Sequence, residues 1–305
     1  MAIYLIILGI LILTVFCVAV MIIKLIRQPK ENISLSQYIK LTCSGIIAFI
    51  ADTLGVGSFA VNVALAKLLG TFRDDEMPAV NNGAQVIPGA IESLFFMGLI
   101  DVDLTTLLTL VAGTCIGGLL GGFVVSRLSK QAIRLAMIWA FALIISLLIA
   151  HQFRLLPISG ELTALYSWKL IVGFLALVVC GALTSVGVGL FVMVQCVLFL
   201  LNVSPAVAFP IMTTAGAMQQ PLTTLAFLQQ DKIPLKKTLI LSLSGCLGVL
   251  ITIPIFKNLT VTWLHSLLLA VLIYNFFAVG RTYLRYRPSK NYTQAPAASS
   301  LVATE

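Results

Sequence analysis

Two stretches of this sequence, ADTLGVGSFAVNVALAKLLG at residues 51–70 and LTSVGVGLFVMVQCVLFLLN at residues 183–202, align with each other without a gap. In both, a Gly-Val-Gly triplet is followed two positions later by Phe, so that Gly55 is aligned with Gly187. Downstream, MPAVNNGAQVIPGAIESL at 77–94 aligns with SPAVAFPIMTTAGAMQQPLTTL at 204–225. The chain is therefore predicted to contain two related halves.

The composition indicates an integral membrane protein. Of 305 residues, 60% are hydrophobic and 10% are charged, against about 45–50% and about 25% in soluble domains. Residues 170–230 contain no Asp, Glu, Lys or Arg. Other charge-free runs, at 1–23, 104–126 and 258–280, approach the roughly 20 residues that a helix needs to cross hydrocarbon. Because short alternating segments are lacking, we predict an all-α, polytopic membrane protein rather than a barrel.

The positions of the basic residues explain the net charge of +8. They form short clusters beside the predicted helices, which favours a lipid bilayer over nucleic acid as the partner. The clusters are Lys24, Arg27, Lys30 and Lys40; Arg127, Lys130 and Arg134; and Arg281, Arg285, Arg287 and Lys290. Loops around Asp103 and at 152–167 carry little positive charge. We therefore predict a multi-pass protein of the cell (inner) membrane with its N-terminus outside, its C-terminus cytoplasmic and a disordered tail at 287–305.

The charge pattern also predicts how the halves are oriented. An extra N-terminal transmembrane helix at 1–30 precedes a first half at 37–154 and a second half at 167–286. Because the first half begins inside and the second outside, they are predicted to be inverted repeats. Each half contains two short apolar segments flanking Gly-Val-Gly and three longer ones. The short segments are either full spans or a broken, re-entrant hairpin, since glycine permits a tight backbone there.

These motifs resemble the sulfite exporter TauE/SafE family of membrane transporters over roughly residues 37–286. The resemblance rests on the Gly-Val-Gly triplets, on the Pro-Ala-Val segments and on later glycine-containing helices; the residues are Gly55–Gly57, Gly187–Gly189, Pro78–Val80, Pro205–Val207, Gly117 and Gly248. It implies export or exchange of a small anion, such as sulfite or an organosulfonate, through inverted repeats and alternating access.

Two acidic residues lie within predicted spans. Asp52 precedes the first Gly-Val-Gly, and Glu92 lies in the span 80–99. Ionisable groups in lipid are costly and usually functional, so we predict that both residues couple transport to protons. Two structural alternatives remain open: Asp52 caps the following half-helix, or Glu92 lies near the interface and reaches water.

An anion would have to be held by polar groups, because no Lys or Arg lies deep in any predicted span. Unpaired main-chain N–H groups at the starts of two half-helices, together with amides and hydroxyls, are suitable donors. The predicted substrate-binding residues are Gly55, Gly57, Ser58, Asn62, Asn81, Gln85, Gly187, Gly189, Gln195, Thr213, Gln219 and Gln220. Close helix packing and interhelical hydrogen bonding are the alternative roles for these glycines and amides.

The sequence shows none of the usual signatures of an enzyme active site. No nucleophile with a base, no paired acids and no His/Cys metal cluster is apparent, so we predict no enzyme, no metal and no cofactor. The six cysteines lie in apolar stretches without C-x-x-C spacing and are predicted to be buried small hydrophobes. A membrane enzyme or a non-catalytic assembly subunit remains the alternative to a transporter. The oligomeric state is open.

Overall fold

A computed structural model describes residues 2–28, 32–97, 102–153, 155, 160–187, 189–231, 233–254 and 261–285. These residues form eleven α-helices and no strand, which confirms the all-α prediction. The predicted disordered tail at 287–305 lies outside the described residues.

The helices follow one another as two series of five after a first helix. Their bounds are α1 Ala2–Arg27, α2 Leu35–Thr53, α3 Ser58–Leu69, α4 Met77–Met97, α5 Leu104–Val125, α6 Lys130–Gln152, α7 Ser167–Thr184, α8 Leu190–Leu200, α9 Pro205–Gln229, α10 Leu235–Thr252 and α11 Val261–Arg285. At the offset that separates Gly55 from Gly187, the starts of α2, α3, α5 and α6 recur to within one position at α7, α8, α10 and α11. Helix α9 begins slightly earlier than this offset gives, at Pro205.

Five of the described helical segments are long and apolar enough to cross a membrane. They are Ile3–Arg27, Leu104–Val125, Lys130–Leu147, Ser167–Thr184 and Leu235–Thr252. Their outward faces carry large exposed hydrophobic side chains such as Ile12, Trp139 and Leu247, which only a lipid environment accommodates over so wide a surface. The chain is therefore a polytopic membrane protein.

Each Gly-Val-Gly triplet lies in the bend of a helical hairpin. Lys40 Nζ, near the start of α2, lies 3.4 Å from the carbonyl oxygen of Leu69 at the end of α3. Lys169 Nζ and the carbonyl oxygen of Leu201 make the corresponding contact, at 3.5 Å, between α7 and α8. Both short helices thus return to the face where their hairpin began.

The bends need glycine because their backbones enter the left-handed region. Gly55, Gly57 and Gly187 have φ angles of 87°, 91° and 96°, which residues with a Cβ rarely adopt. The broken helices predicted from sequence are therefore present as hairpins that bend at these glycines.

The corresponding helices α4 and α9 pack against each other in opposite directions. Ser93 Oγ of α4 lies 3.3 Å from Thr214 Oγ1 of α9. Nearer the start of α4, a Cβ on Gly83 would lie 3.7 Å from Cγ2 of Thr224, which is nearer the end of α9. Equivalent helices that run antiparallel in one bundle place the two halves in inverted topology.

The halves also interlock through two equivalent helix pairs, α5 with α7 and α10 with α2. Glycines allow the backbones to approach in both. A Cβ on Gly117 would collide with the carbonyl oxygen of Val178, and a Cβ on Gly245 with the ring of Phe49. Small residues at membrane helix contacts permit this close packing.

Charged helix ends collect at one face, called here the basic face. Lys24 at the end of α1 forms a 2.7 Å ion pair with Asp231 just after α9. Asp74, in the connection 70–76, is paired with Lys67 of α3 and with Arg134 of α6, the latter at 2.9 Å. The neighbouring Asp75 is paired with Arg73 at 2.8 Å and with Lys130 at 3.5 Å, so the hairpin end and the start of α6 are held together.

The opposite face is joined by backbone bonds instead. In the α8–α9 connection, which corresponds to residues 70–76, the Asn202 carbonyl accepts from Leu162 N at 2.8 Å, and Ser204 N donates to Leu162 O at 2.9 Å. Among the described residues, ion pairs hold the first connection and backbone hydrogen bonds hold the second, although the two occupy corresponding positions.

Candidate functional site

The first bend is organised around the carboxyl group of Asp52, which is 2% exposed. One carboxyl oxygen accepts from the backbone N–H of Ser58 at 2.5 Å, and the other accepts from Gln85 Nε2 on α4. Ser58 Oγ in turn donates to Gln85 Oε1 at 2.6 Å. Asp52 thus caps α3 from across the bend. The prediction of a free backbone N–H at Ser58 is wrong, because this N–H already donates to the Asp52 carboxyl group.

Glu92 lies beside Asp52 in the interior and not at the interface, since it is 1% exposed. Its Oε1 accepts from Thr53 Oγ1 at 2.6 Å. Because Thr53 directly follows Asp52 in the chain, this bond places the Glu92 carboxyl group beside that of Asp52. The two acids are far apart in the chain and belong to different helices, so the sequence analysis recognised no pair; the premise that the chain has no paired acids is wrong.

The second bend meets the first at Asn81, which belongs to α4. Asn81 Nδ2 lies 3.3 Å from the carbonyl oxygen of Phe59, in the first turn of α3, and 3.4 Å from that of Gly187. A Cβ placed on Gly189 would lie 3.9 Å from Phe59 Cβ. The structure therefore brings the two Gly-Val-Gly bends together inside the protein.

The start of α8 differs from the start of α3 because no described side chain is hydrogen bonded to its first backbone N–H groups, whereas Asp52 accepts from Ser58 N. Thr184 stands at the position that corresponds to Asp52, and its hydroxyl donates back to the carbonyl oxygen of Cys180 at 2.8 Å. The positive end of the α8 dipole therefore lacks the internal carboxylate that α3 has. A Cβ on Gly57, in the first bend, would have no atom within 4 Å.

Several buried amides near the bends have atoms without a hydrogen-bond partner among the described residues. Asn62, which lies one turn after Ser58 on α3 and is 3% exposed, has neither of its side-chain polar atoms paired. The side-chain oxygens of Asn81, Gln219 and Gln220 are also unpaired. Native interiors rarely leave such groups unsatisfied, so water or a ligand is the expected partner.

Asn82 joins this group although the sequence analysis did not single it out. Its Nδ2 donates to the carbonyl oxygens of Pro78, at 2.8 Å, and Thr184, at 3.3 Å, and its Oδ1 is unpaired in the described region. The asparagine pair at 81–82 was visible in sequence. The helical-face argument selected only Asn81, because Asn82 points toward α7.

Gln85 and Gln220 approach each other where α4 crosses α9. A Cβ placed on Gly89 would lie 3.4 Å from Gln85 Nε2 and 3.4 Å from Gln220 Oε1. Gly89 therefore leaves room on the α4 face between Gln85 and Glu92. Gln219 faces α5 instead, because a Cβ on Gly118 would collide with its side chain.

Two other predicted residues are not tied to the bends. Gln195 is half-buried on α8 and makes no hydrogen bond to the described residues. Thr213 donates within its own helix, toward Phe209 O at 3.1 Å or Pro210 O at 3.2 Å. Of the remaining glycines, Gly55 lies against the Phe209 ring and Gly187 against Pro78.

The arrangement combines a buried acid pair with an uncapped helix start and unpaired amides at two converging bends. It can hold a proton at the acid pair and a small polar or anionic ligand nearby. No group of three His, Cys, Asp or Glu suited to a metal occurs among the described residues. No protein-family model, curated protein or solved structure matches this chain.

Proposed function

We propose that this chain is a membrane transporter that moves a small anion by alternating access, coupled to protons. The observation that carries the proposal is the meeting of two equivalent, oppositely oriented hairpins at Asn81. Inverted repeats with broken helices at mid-membrane are the architecture in which many secondary transporters place their substrate. One half rocking against the other exposes such a site to each side in turn.

The uncapped start of α8 supports an anionic substrate. In the first half, the corresponding helix start binds the carboxylate of Asp52, which is the kind of group this geometry accepts. In the second half, the residue corresponding to Asp52 is Thr184, so the start of α8 has no carboxylate beside it. A substrate anion would bind there. The resemblance to the sulfite exporter TauE/SafE family supports sulfite or an organosulfonate, exported or exchanged.

The basic face supports a cytoplasmic location for the end of α1. Lys24, Arg73 and Arg134 lie at this face, and positively charged loops are retained on the cytoplasmic side. The N-terminus is then outside and the C-terminal end of α11 inside, since Lys67 contacts Thr282 of α11 at 3.3 Å. We propose the cell (inner) membrane as the location.

Flux in proteoliposomes containing only the purified chain tests the proposal. We expect uptake of sulfite or a small organosulfonate in exchange for internal substrate, with a response to an imposed pH gradient. Sulfate, thiosulfate and small carboxylates serve as comparison anions. Failure of the purified chain to carry any of these anions would contradict the proposed function. That failure is the result expected of an assembly subunit.

Asn62 offers a variant that separates binding from folding. Because its side chain has no partner among the described residues, Asn62→Leu is expected to fold normally while flux falls. The matched control is Gln230→Leu, which removes an exposed amide just after α9 and should leave flux unchanged. Substrate should raise the Tm of the wild type more than that of Asn62→Leu, because a ligand stabilises the state that binds it. Equal Tm shifts in both proteins would remove Asn62 from the site.

A further inference from the structure

We infer that Glu92 is the residue that carries the exchangeable proton, while Asp52 remains a carboxylate that positions it. This inference rests on the proposed transport function. It departs from the expectation that both acids play the same role, and it follows from which donors each carboxyl group contacts.

Asp52 is surrounded by groups that only donate. The backbone N–H of Ser58 and the Nε2 of Gln85 approach different oxygens of its carboxyl group. The Gln85 amide is itself oriented, because its Oε1 accepts from Ser58 Oγ. Hydrogen bonds donated to a carboxylate stabilise its charged form, so this network favours ionised Asp52.

Glu92 has no comparable set of donors. Its one hydrogen bond to the described residues is to the hydroxyl of Thr53, at 2.6 Å. Two buried carboxylates side by side repel each other, so the pair favours holding one proton. Since Asp52 accepts from two donors and Glu92 from one, we place that proton on Glu92.

A second negative charge would have no nearby cation to balance it. Helices α1, α3, α9 and α10 pack against α2 or α4, and the described titratable groups on these six helices, besides the acid pair, are Tyr4, Cys17, Lys24, Arg27, Tyr38, Lys40, Cys43, Lys67, Lys236, Lys237 and Cys246. The basic ones all lie within about two turns of a helix end. Cys17 donates to the carbonyl oxygen of Pro221. Release of the Glu92 proton therefore requires a rearrangement that admits water or another donor.

Gln220 supplies an acceptor from the other half. Its Oε1 is unpaired among the described residues and its side chain is 2% exposed. It points to the space at Gly89, one turn before Glu92 on the same face of α4. When α4 and α9 shift during alternating access, protonated Glu92 can donate a hydrogen bond to this oxygen, which links protonation to the relative position of the halves.

The second half has no equivalent acid pair. Thr184 and Thr224 stand at its positions that correspond to Asp52 and Glu92. The single pair is therefore expected to carry one proton per chain in each transport cycle.

Infrared spectroscopy of the purified wild type near neutral pH tests the assignment without any need for transport. A protonated carboxylic acid has a C=O stretch separate from that of carboxylates. We expect this band in the wild type and in Glu161→Gln, an exposed control, and its loss in Glu92→Gln. Gln at position 92 retains a donor for Asp52, so this variant should stay folded. No band in the wild type, or a band that survives in Glu92→Gln, would overturn the assignment.

Asp52→Asn distinguishes the two acids. Asn presents an N–H group where Ser58 or Gln85 donates, so we expect a lower Tm but persistence of the band, which arises from Glu92. Loss of the band in this variant while Glu92→Gln retains it would assign the proton to Asp52 instead. In proteoliposomes that transport, Glu92→Gln should lose the response to a pH gradient, whereas Glu161→Gln should keep it. Absence of transport in every variant would contradict the proposed function but not the protonation of Glu92. The infrared band reports that protonation whether or not the protein transports an anion.

Discussion

The side-chain amide of Asn81 donates to the carbonyl oxygen of Gly187 across 3.4 Å, and the two residues belong to different halves of the chain. The same Nδ2 lies 3.3 Å from the Phe59 carbonyl oxygen of the first hairpin. Asn81 is therefore a bridge between the two bends. Loss of that bridge leaves the carbonyl of Gly187, which lies between α7 and α8, without this donor.

Replacing Asn81 by Leu should destabilise the protein. Unpaired buried carbonyl oxygens cost about 1–3 kcal/mol, so we expect a lower Tm in detergent together with reduced anion flux. Thr213→Val is the matched control at the corresponding position of the second half, because the Thr213 hydroxyl bonds only within its own helix. An Asn81→Leu protein with wild-type Tm would show that the bends do not depend on this amide.

Gly117→Ala should disrupt the contact between α5 and α7. The added Cβ would collide with the carbonyl oxygen of Val178 and lie 2.9 Å from the amide nitrogen of Ala182. Because both contacts are backbone, the helices must move apart, at a cost of about 1–3 kcal/mol. Gly280→Ala is the control, since a Cβ there meets no atom within 4 Å. Thermal unfolding of both variants measures the difference, and equal Tm values would refute the close packing.

Asp74→Asn should weaken the basic face more than Asp75→Asn. The Asp74 carboxylate contacts both Lys67 and Arg134, and its side chain is 6% exposed. Removing one member of a buried ion pair costs about 3–5 kcal/mol, with water at the rim reducing this toward about 2 kcal/mol. Asp75 pairs with Arg73, whose side chain is 62% exposed, so its loss should cost about 1 kcal/mol or less. A reversed order of Tm values would contradict this prediction.

The stability contribution of Asp75 should disappear in acid. Burial alone would raise the pKa of Asp75, but the hydrogen bond and charge of Arg73 and the charge of Lys130 together hold the pKa below its ordinary value. A lowered folded pKa stabilises the protein above the unfolded value of about 3.9, and this effect is lost as pH falls through the folded value. Thermal unfolding should therefore show the wild type and Asp75→Asn converging below about pH 4, and a constant difference would contradict it.

Cysteine labelling should report opposite sides for the two connections that follow α3 and α6. Arg73→Cys lies at the basic face, and Glu161→Cys precedes the second half at the other face. A membrane-impermeant thiol reagent applied to intact cells should label Glu161→Cys, whereas Arg73→Cys should require inverted vesicles. Labelling of both from the same side would exclude inverted halves. Cys43, the exposed native cysteine, should be replaced by Ser beforehand.

Much of the architecture was predictable from residue order. The long charge-free runs set the helices, because hydrocarbon requires apolar segments whose backbone is internally bonded. The Gly-Val-Gly repeat at Gly55 and Gly187 predicted two halves, and the helix starts recur at the same offset. Charge placement predicted inverted orientation, which the antiparallel packing of α4 and α9 displays.

The hairpin fold of the short segments required tertiary information. That α3 folds back along α2 is seen in the contact between Lys40 and Leu69, which are 29 residues apart in the chain. The helical-face argument placed Gln85 and Glu92 on one side of α4, yet it did not reveal that Asp52 and Thr53 lie against that side.

The sequence by itself determined that the protein lies in lipid, where its helices are and that its halves repeat. The length of the apolar segments and the spacing of the glycines are local properties of the chain. Only the tertiary structure decided that Asp52 and Glu92 lie side by side and that Asn81 joins both bends. Those relationships depend on the hairpin folding back onto α4 and on α4 crossing α9. The distance between two side chains from separate helices is set by packing, which residue spacing does not encode.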